Sequence, residues 1–218
     1  MQQDPDKQEA RFIRGCLSGI SNETLEIGCG NGRLTEVIAE VSQNLTAADP
    51  SIEALQTARR HVRLPVEFLS ASGESLPFSA ETFDTVIFTL SLHHQDAQKA
   101  LKEAGRVLKD SGHTLVLEPI SDTLVSKLFS VLEDECWKYE IAKCAIETSR
   151  FEVICTGSIK YRWLFTDYQE IVAHLFDYFS MKPDPERIDI IAELLDDSKD
   201  LAPISIEDIT NYWLLRKI

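Results

Sequence analysis

The feature that most constrains this chain is a cluster of glycines directly behind a short apolar run. Only nine glycines occur among 218 residues, yet three fall within five positions of Glu26-Ile27-Gly28-Cys29-Gly30-Asn31-Gly32. Thr24-Leu25-Glu26-Ile27 reads as a strand. Leu34, Val37, Ile38 and Val41 behind the cluster fall at i, i+3, i+4 and i+7, the spacing of one helix face. Glycine in such a strand–loop–helix unit permits φ > 0 and puts no Cβ in the way of a ligand, while the following helix offers unpaired N–H groups. A nucleotide-like ligand fits there. At the carboxyl end of a first parallel strand the loop also lies beside the topological switch point, where open α/β sheets bind ligands.

The alternation continues down the chain. Leu45–Ala48 reads as a strand ending at Asp49-Pro50, followed by a helix through Ile52, Leu55 and Ala58 and an extended run at Val66–Leu69. Thr85–Leu90 is almost wholly apolar or β-branched, as a strand buried on both faces must be. A helix through Ala97, Ala100, Leu101, Ala104 and Leu108 follows, with Asp110-Ser111-Gly112 as its stop and Thr114–Leu117 as the next strand. Beyond Glu118-Pro119, the apolar positions Val125, Leu128, Phe129, Leu132, Cys136 and Tyr139 predict one long helix. Phe151–Phe165 then reads as extended, Tyr168–Phe179 and Ile188–Leu195 as helical, and Ile209–Leu215 as a last strand. The expectation is an α/β fold with a doubly wound, mostly parallel, seven-stranded sheet and a helical insertion near the C-terminus. It forms a single domain over residues 1–218, with a ligand-binding core at 20–119 and the insertion and last strands at 120–218.

Charge and cysteine usage narrow the partners. With 22 Lys and Arg against 36 Asp and Glu, the net charge is −14, so nucleic acid would be repelled over most of the surface. Nine of the acids lie between Asp184 and Asp208, a stretch with only two bases, expected to be a solvated face. Five cysteines without a C-x-x-C pair, behind a polar N-terminus, are expected to be reduced thiols in the cytoplasm. No apolar run approaches the ~18 residues a membrane helix needs.

The spacing G-x-G-x-G, with Arg33 where a dinucleotide fingerprint has its third glycine, points away from NAD and from an oxidoreductase. Glu26 ahead of the loop would oppose a pyrophosphate and suits a ligand carrying ammonium or sulfonium charge. Asp49, 21 residues after Gly28, ends the second strand, where a carboxylate accepts hydrogen bonds from both ribose hydroxyls. The competing reading of Asp49 before Pro50 is a helix N-cap.

Leu25-Glu26-Ile27-Gly28-Cys29-Gly30-Asn31-Gly32 resembles the first motif of class I S-adenosylmethionine-dependent methyltransferases. Asp49, Ser75-Leu76-Pro77-Phe78, Phe83-Asp84, Ser91-Leu92-His93-His94 and Arg106-Val107-Leu108-Lys109 follow in the order of the subgroup that includes ubiquinone and menaquinone biosynthesis enzymes. The resemblance spans roughly residues 20 to 119. It implies S-adenosylmethionine as cofactor and a small-molecule methyl acceptor, handled by a monomer or homodimer. Glu26, Gly28, Cys29, Gly30 and Gly32 are then assigned to the amino-acid part of the cofactor, and Asp49 with Pro50 to its ribose. Ser72, Gly73 and Glu74 fall to adenine, with Ser72 standing where the family commonly has Asp. Thr89, Leu90 and Ser91 line the methionine portion. A noncatalytic S-adenosylmethionine- or S-adenosylhomocysteine-binding protein of the same fold is the alternative.

Methyl transfer mainly needs alignment and exclusion of water, and a general base helps where the acceptor carries a proton. His93 and His94, at the cofactor end of the fourth strand, are the candidates for base or acceptor orientation. No metal is expected, since adjacent histidines diverge and no Cys or carboxylate accompanies them at ligand spacing. Trp137, Tyr139, Tyr161, Trp163, Phe165, Tyr168, Phe176, Tyr178 and Phe179 cluster outside the resemblance. They are expected either to form the acceptor pocket or to pack as ordinary core.

Overall fold

A computed structural model describes residues 1–20 and 22–218. The elements in chain order are β1 (Gln2–Gln3), α1 (Gln8–Leu17), β2 (Glu23–Ile27), α2 (Thr35–Ala39), β3 (Asn44–Asp49), α3 (Ile52–His61), β4 (Glu67–Ser70) and β5 (Phe83–Thr89). There follow α4 (Ala97–Val107), β6 (Leu108–Pro119), α5 (Leu124–Ser130), α6 (Cys136–Glu147), β7 (Phe151–Phe165), α7 (Tyr168–Tyr178), α8 (Pro185–Leu195) and β8 (Ile204–Lys217). Two compact units share these elements. One comprises Met1–Glu9, Pro119–Tyr139 and Ile159–Thr210; the other comprises Ala10–Glu118, Glu140–Ser158 and Asn211–Ile218.

In the larger unit β3 lies between β2 and β4, and β2 pairs on its other side with β5, which pairs with β6, all in parallel. The chain therefore winds outward from β2 to β4, returns across β2 to β5, and continues the other way, which makes the carboxyl ends of β2 and β5 the switch point. β5 shows why its sequence is so apolar: Val86, Ile87 and Phe88 are fully buried in mid-sheet. α4 lays Ala97, Ala100, Leu101, Ala104 and Val107 against the same core, and Asp96 caps it by accepting from the Lys99 N–H.

The motif residues of the second half of the resemblance serve as ties. Arg106 donates to the carbonyls of Phe78 (2.7 Å) and Leu76 (3.0 Å), while its neighbour Glu103 accepts from the Leu76 N–H (3.1 Å). Asp84 accepts from the Glu23 N–H at 2.9 Å and from Lys109 at 3.0 Å, which joins the start of β2 to the strands beside it.

The smaller unit has its own core of Val125, Leu128, Tyr161, Trp163, Phe165, Ile171, Leu175, Phe176 and neighbours. Here β1 pairs antiparallel with β7, Gln2 opposite Leu164 and Gln3 opposite Trp163. That pairing brings the strand count to eight rather than seven; two glutamines carry no apolar alternation to announce it. The expected single long helix is two, α5 and α6, because the chain turns after Ser130 and Asp134 accepts from the Cys136 N–H to start a new helix. α2 is only Thr35–Ala39, shorter than its apolar stripe suggested. Asp110-Ser111-Gly112 does not end an element either. It is absorbed into β6 as an irregularity where the register jumps from Phe83–Leu108 to Thr85–His113. Asp208 leaves the expected solvated face altogether: it is buried and accepts from Tyr161 Oη and Trp163 Nε1, each at 2.9 Å. All five cysteines are free, and among the described residues no helix is long and apolar enough to cross a membrane.

Phe88 has 0% exposure at the centre of β5. Phe88→Ala should cost about 3–5 kcal/mol, read as a lower denaturant midpoint with an unchanged m-value; a loss under about 1 kcal/mol would contradict the mid-sheet placement.

Candidate active site

The structure gathers most of the residues singled out in sequence at the carboxyl ends of β2, β3 and β5. Gly28 takes φ +75°, and an added Cβ would stand 2.4 Å from Ser91 Cβ. Ser91 in turn donates from Oγ to the Ile27 carbonyl at 2.6 Å. The glycine at 28 thus exists to let the loop after β2 touch the loop after β5. Gly30 is different. Its φ is +53° and its missing Cβ would meet nothing within 4 Å, so its backbone borders open space. Gly32, at φ +85°, faces Ala58 and Val62 and serves packing against α3. Cys29 is buried with Ala47 and Leu55, and burial pushes its thiol well above the usual range, with the charges of Glu26 and Asp49 adding to the shift.

Glu26 is 1% exposed, on the last turn of backbone before the loop. Its two oxygens accept from Thr35 Oγ1 (2.7 Å) and Thr89 Oγ1 (3.0 Å), hydroxyls that α2 and β5 supply. Burial raises its pKa to about 7, against the lowering effect of the two hydroxyls and of Arg33. The folded chain therefore keeps a proton on Glu26 between about pH 4.5 and 7, where the unfolded chain has lost it, and folded stability falls as pH rises through that window.

Asp49, 9% exposed at the end of β3, anchors the loop from the other side. One carboxylate oxygen accepts from the Gly30 N–H and the other from the Ser51 N–H, each at 2.8 Å, leaving one lone pair per oxygen for a ligand hydroxyl. The N-cap alternative does not hold, because Ser51 caps α3 by accepting from Ala54 N–H. Pro50 is exposed beside it.

The segment after β4 lies alongside. Ala71 donates to the Asp49 carbonyl at 3.3 Å, and Ser72 Oγ accepts from Glu74 N–H at 3.3 Å. Gly73 packs so closely that a Cβ would stand 2.2 Å from Gln95 Oε1 and 2.6 Å from Ile27 Cγ2. Glu74 is exposed, and one oxygen accepts from the Asp96 N–H at 2.7 Å, steadying the loop ahead of α4. Beyond Thr89, Leu90 adopts φ +57°, an uncommon conformation for leucine, and turns the chain across the strand ends. His93 and His94 then sit on a 3-10 turn with ring centroids 3.9 Å apart, His93 buried and His94 exposed.

Three residues escaped the sequence reading. Thr35 holds Glu26. Gln95 donates to the Ser91 carbonyl at 3.0 Å while its buried Oε1 has no hydrogen-bond partner. Glu118, at the carboxyl end of β6, lies 2.6 Å from His93 Nδ1. The rule that selected Asp49, an acid at the end of a parallel strand, would have selected Glu118 as well. Among the aromatics, Tyr161, Trp163, Phe165 and Phe176 are core of the smaller unit, while Trp137 and Tyr178 are 58% and 56% exposed.

Two carboxylates thus flank a glycine loop at the switch point of a doubly wound sheet, Asp49 bonded to the loop itself and Glu26 to the hydroxyls on either side of it. Residues 25–116 match the family described as the methyltransferase domain. It is 35% identical over 127 residues to the mitochondrial ubiquinone biosynthesis O-methyltransferase of Schizosaccharomyces pombe, covering 54% of this chain and 44% of that one. To the ubiquinone/menaquinone biosynthesis C-methyltransferase of Haemophilus ducreyi it is 33% identical over 135 residues, covering 55% and 51%. The chain thus spans about half the length of the curated relatives it matches. In structure it is similar to the YcgJ protein of Bacillus subtilis, with a TM-score of 0.69 at 18% identity over 97% of this chain and 98% of that one. It is also similar to a geranyl diphosphate methyltransferase in complex with S-adenosylmethionine, with a TM-score of 0.61 at 12% identity over 96% and 84%. At these identities the structural likeness establishes the fold.

The glycine geometry separates folding from binding. Gly28→Ala should lower thermal stability, because its methyl collides with Ser91, whereas Gly30→Ala should cost only about 1–2 kcal/mol of left-handed strain. In thermal shift, S-adenosylhomocysteine should raise the Tm of the wild type and leave that of Gly30→Ala unmoved; an equal ligand shift in both would place the ligand elsewhere.

Proposed function

We propose that the protein is an S-adenosylmethionine-dependent methyltransferase acting on a small-molecule acceptor. The observation that carries this reading is the buried carboxylate of Glu26, held by Thr35 and Thr89 immediately before a loop whose backbone at Gly30 borders open space. The residues present fit the cofactor. Glu26 matches an ammonium or sulfonium group, and Asp49 retains acceptor capacity for ribose hydroxyls. Gln95 Oε1 is a buried acceptor lacking a donor. When bound, S-adenosylmethionine supplies a methyl group already activated by its sulfonium. The task left to the chain is to hold donor and acceptor in line and keep water out.

The geometry supports a division of that task. Gly28 and Ser91 close the floor between β2 and β5, Glu26 and Asp49 fix the two polar ends of the cofactor, and the His93-His94 turn stands at the acceptor side. The relatives named as ubiquinone biosynthesis O-methyltransferase and ubiquinone/menaquinone biosynthesis C-methyltransferase support an acceptor of the quinone class. The charge of −14 supports a small molecule over nucleic acid, and five free cysteines support a reducing, cytoplasmic setting.

Calorimetric titration with S-adenosylhomocysteine, with NAD⁺ as control, tests the reading. Micromolar binding to the wild type, lost in Asp49→Ala and absent for NAD⁺, is expected; no binding to the wild type would overturn it. The same titration carries a pH signature. Glu26 must be ionised to pair with the ligand's ammonium, so affinity should rise as pH rises toward and through 7, being about tenfold weaker at pH 6 than at its plateau. In Glu26→Gln that dependence should flatten at the weaker value. A flat profile in the wild type would mean the ammonium sits elsewhere.

A further inference from the structure

The first half of β7 is open to solvent from Glu152 to Thr156 without interruption, a run that β2, β3 and β5 never approach. Successive side chains of a strand point to opposite faces, so the exposure of both Val153 (48%) and Ile154 (42%) means that neither face is sealed there. One edge of this stretch is occupied by β8: Thr156 Oγ1 donates to the Tyr212 carbonyl at 2.8 Å, and Glu152 pairs with Arg216 at 2.6 Å. On the other edge the neighbouring strand is β1, which reaches only Trp163 and Leu164. Among the described residues, the outward N–H and C=O groups of Phe151–Ser158 therefore have no strand beside them. Exposed edges are usually defended by lysine, by proline or by an inward-pointing charge. Phe151-Glu152-Val153-Ile154-Cys155-Thr156-Gly157-Ser158 has no lysine and no proline, and its one charge, Glu152, is answered by Arg216 on its own sheet.

We propose that the outer edge of β7 at Phe151–Ser158 is a homodimer interface, pairing antiparallel with the same edge of a second copy about a two-fold axis at Ile154. Charge selects this occupant. Two chains of net charge −14 repel over most of their surfaces, whereas along this edge each meets only a carboxylate already neutralised by its own Arg216. The pairing is also closed: one two-fold contact covers both edges and leaves no new edge for a third copy. Charge and apolar area fix the register as well. Two-fold antiparallel pairing sets one residue opposite itself, and an axis at Glu152 would bring two carboxylates face to face. An axis at Ile154 instead sets the two Ile154 side chains together, Val153 opposite the partner's Cys155, and Glu152 opposite the partner's Thr156, which buries the apolar groups exposed on both faces. A ladder this short falls below the standard interface area of ~1,600 Å², so the dimer is a weak one, with Kd on the order of 10–100 µM.

Sedimentation velocity of the full chain in reducing buffer, from ~1 to ~200 µM, reads the association directly. Wild type should pass from one chain to two over that range. Ile154→Lys should stay monomeric, its Kd raised at least ~30-fold, because two lysines then face each other across the axis. Ile154→Glu should stay monomeric for the same reason. An equimolar mixture of the two variants should dimerise again, since each lysine then meets a carboxylate, a rescue that only pairing of this edge with itself provides. Position 154 is exposed, so both variants should keep the wild-type thermal midpoint; Val153→Lys, on the opposite face, repeats the test should either fold poorly. In hydrogen exchange, raising the wild-type concentration should protect every second amide between Phe151 and Ser158, the period at which N–H groups point outward from a strand. A wild type that is monomeric at ~200 µM, a dimer that survives Ile154→Lys, a mixture that stays monomeric, or exchange in this stretch that ignores concentration would each overturn the proposal.

Discussion

The contact on which the larger unit turns is that between Gly28 and Ser91. A doubly wound sheet creates a crevice where the winding reverses, and that crevice is useful only if the two loops beside it are fixed relative to each other. Here the loop after β2 and the loop after β5 meet without room for a side chain at position 28, and the Ser91 hydroxyl spans the remaining gap to the Ile27 carbonyl. Everything else at the site is measured from that floor. Glu26 is buried beneath it, Asp49 holds the Gly30 amide above it, and Gly73 and Gln95 close on Ile27 from the side.

Three acids, Glu26, Asp49 and Glu118, occupy the carboxyl ends of three parallel strands, and their surroundings give them different chemistry. Glu26 accepts from two neutral hydroxyls in a dry site, and burial raises its pKa to about 7 against the lowering effect of those hydroxyls and of Arg33. Asp49 receives two backbone N–H groups and is spent partly on shaping the loop. Glu118 faces a histidine ring and one N–H at the end of β6. Carboxylates on one edge of one sheet thus differ through the donors around them, which is the usual way proteins assign roles to chemically identical groups.

How much of this was legible follows from where the signal lay. Strands buried on both faces write themselves as apolar runs, so β2, β3 and β5 were readable to within a residue or two, and the glycine cluster marked the loop. Short-range apolar spacing cannot show where a helix stops. The stripe from Val125 to Tyr139 continues across the break between α5 and α6 because Asp134 caps the second helix from outside the apolar face. Nor can spacing rank glycines: Gly28, Gly30 and Gly32 are equivalent in the motif, yet one admits a neighbouring loop, one borders open space and one packs on α3. The departure at Ser72 belongs here too. The serine is engaged with the Glu74 amide and Glu74 with the Asp96 amide, so the segment after β4 is organised by its own short-range bonds. Gln95, outside the motif residues read in sequence, places a buried Oε1 without a hydrogen-bond partner against Gly73.

The distribution of the family signal also carries meaning. The matched segment, residues 25–116, ends just before Glu118, and many of its recognisable residues are ties such as Arg106 on the Leu76–Phe78 backbone and Asp84 between the Glu23 amide and Lys109. Residues of this kind are fixed by the geometry of the sheet, so a match built on them speaks to the fold. In the smaller unit, the buried Asp208 joining Tyr161 to Trp163 shows aromatic residues committed to that unit's own core, while Tyr178 and Trp137 stay exposed.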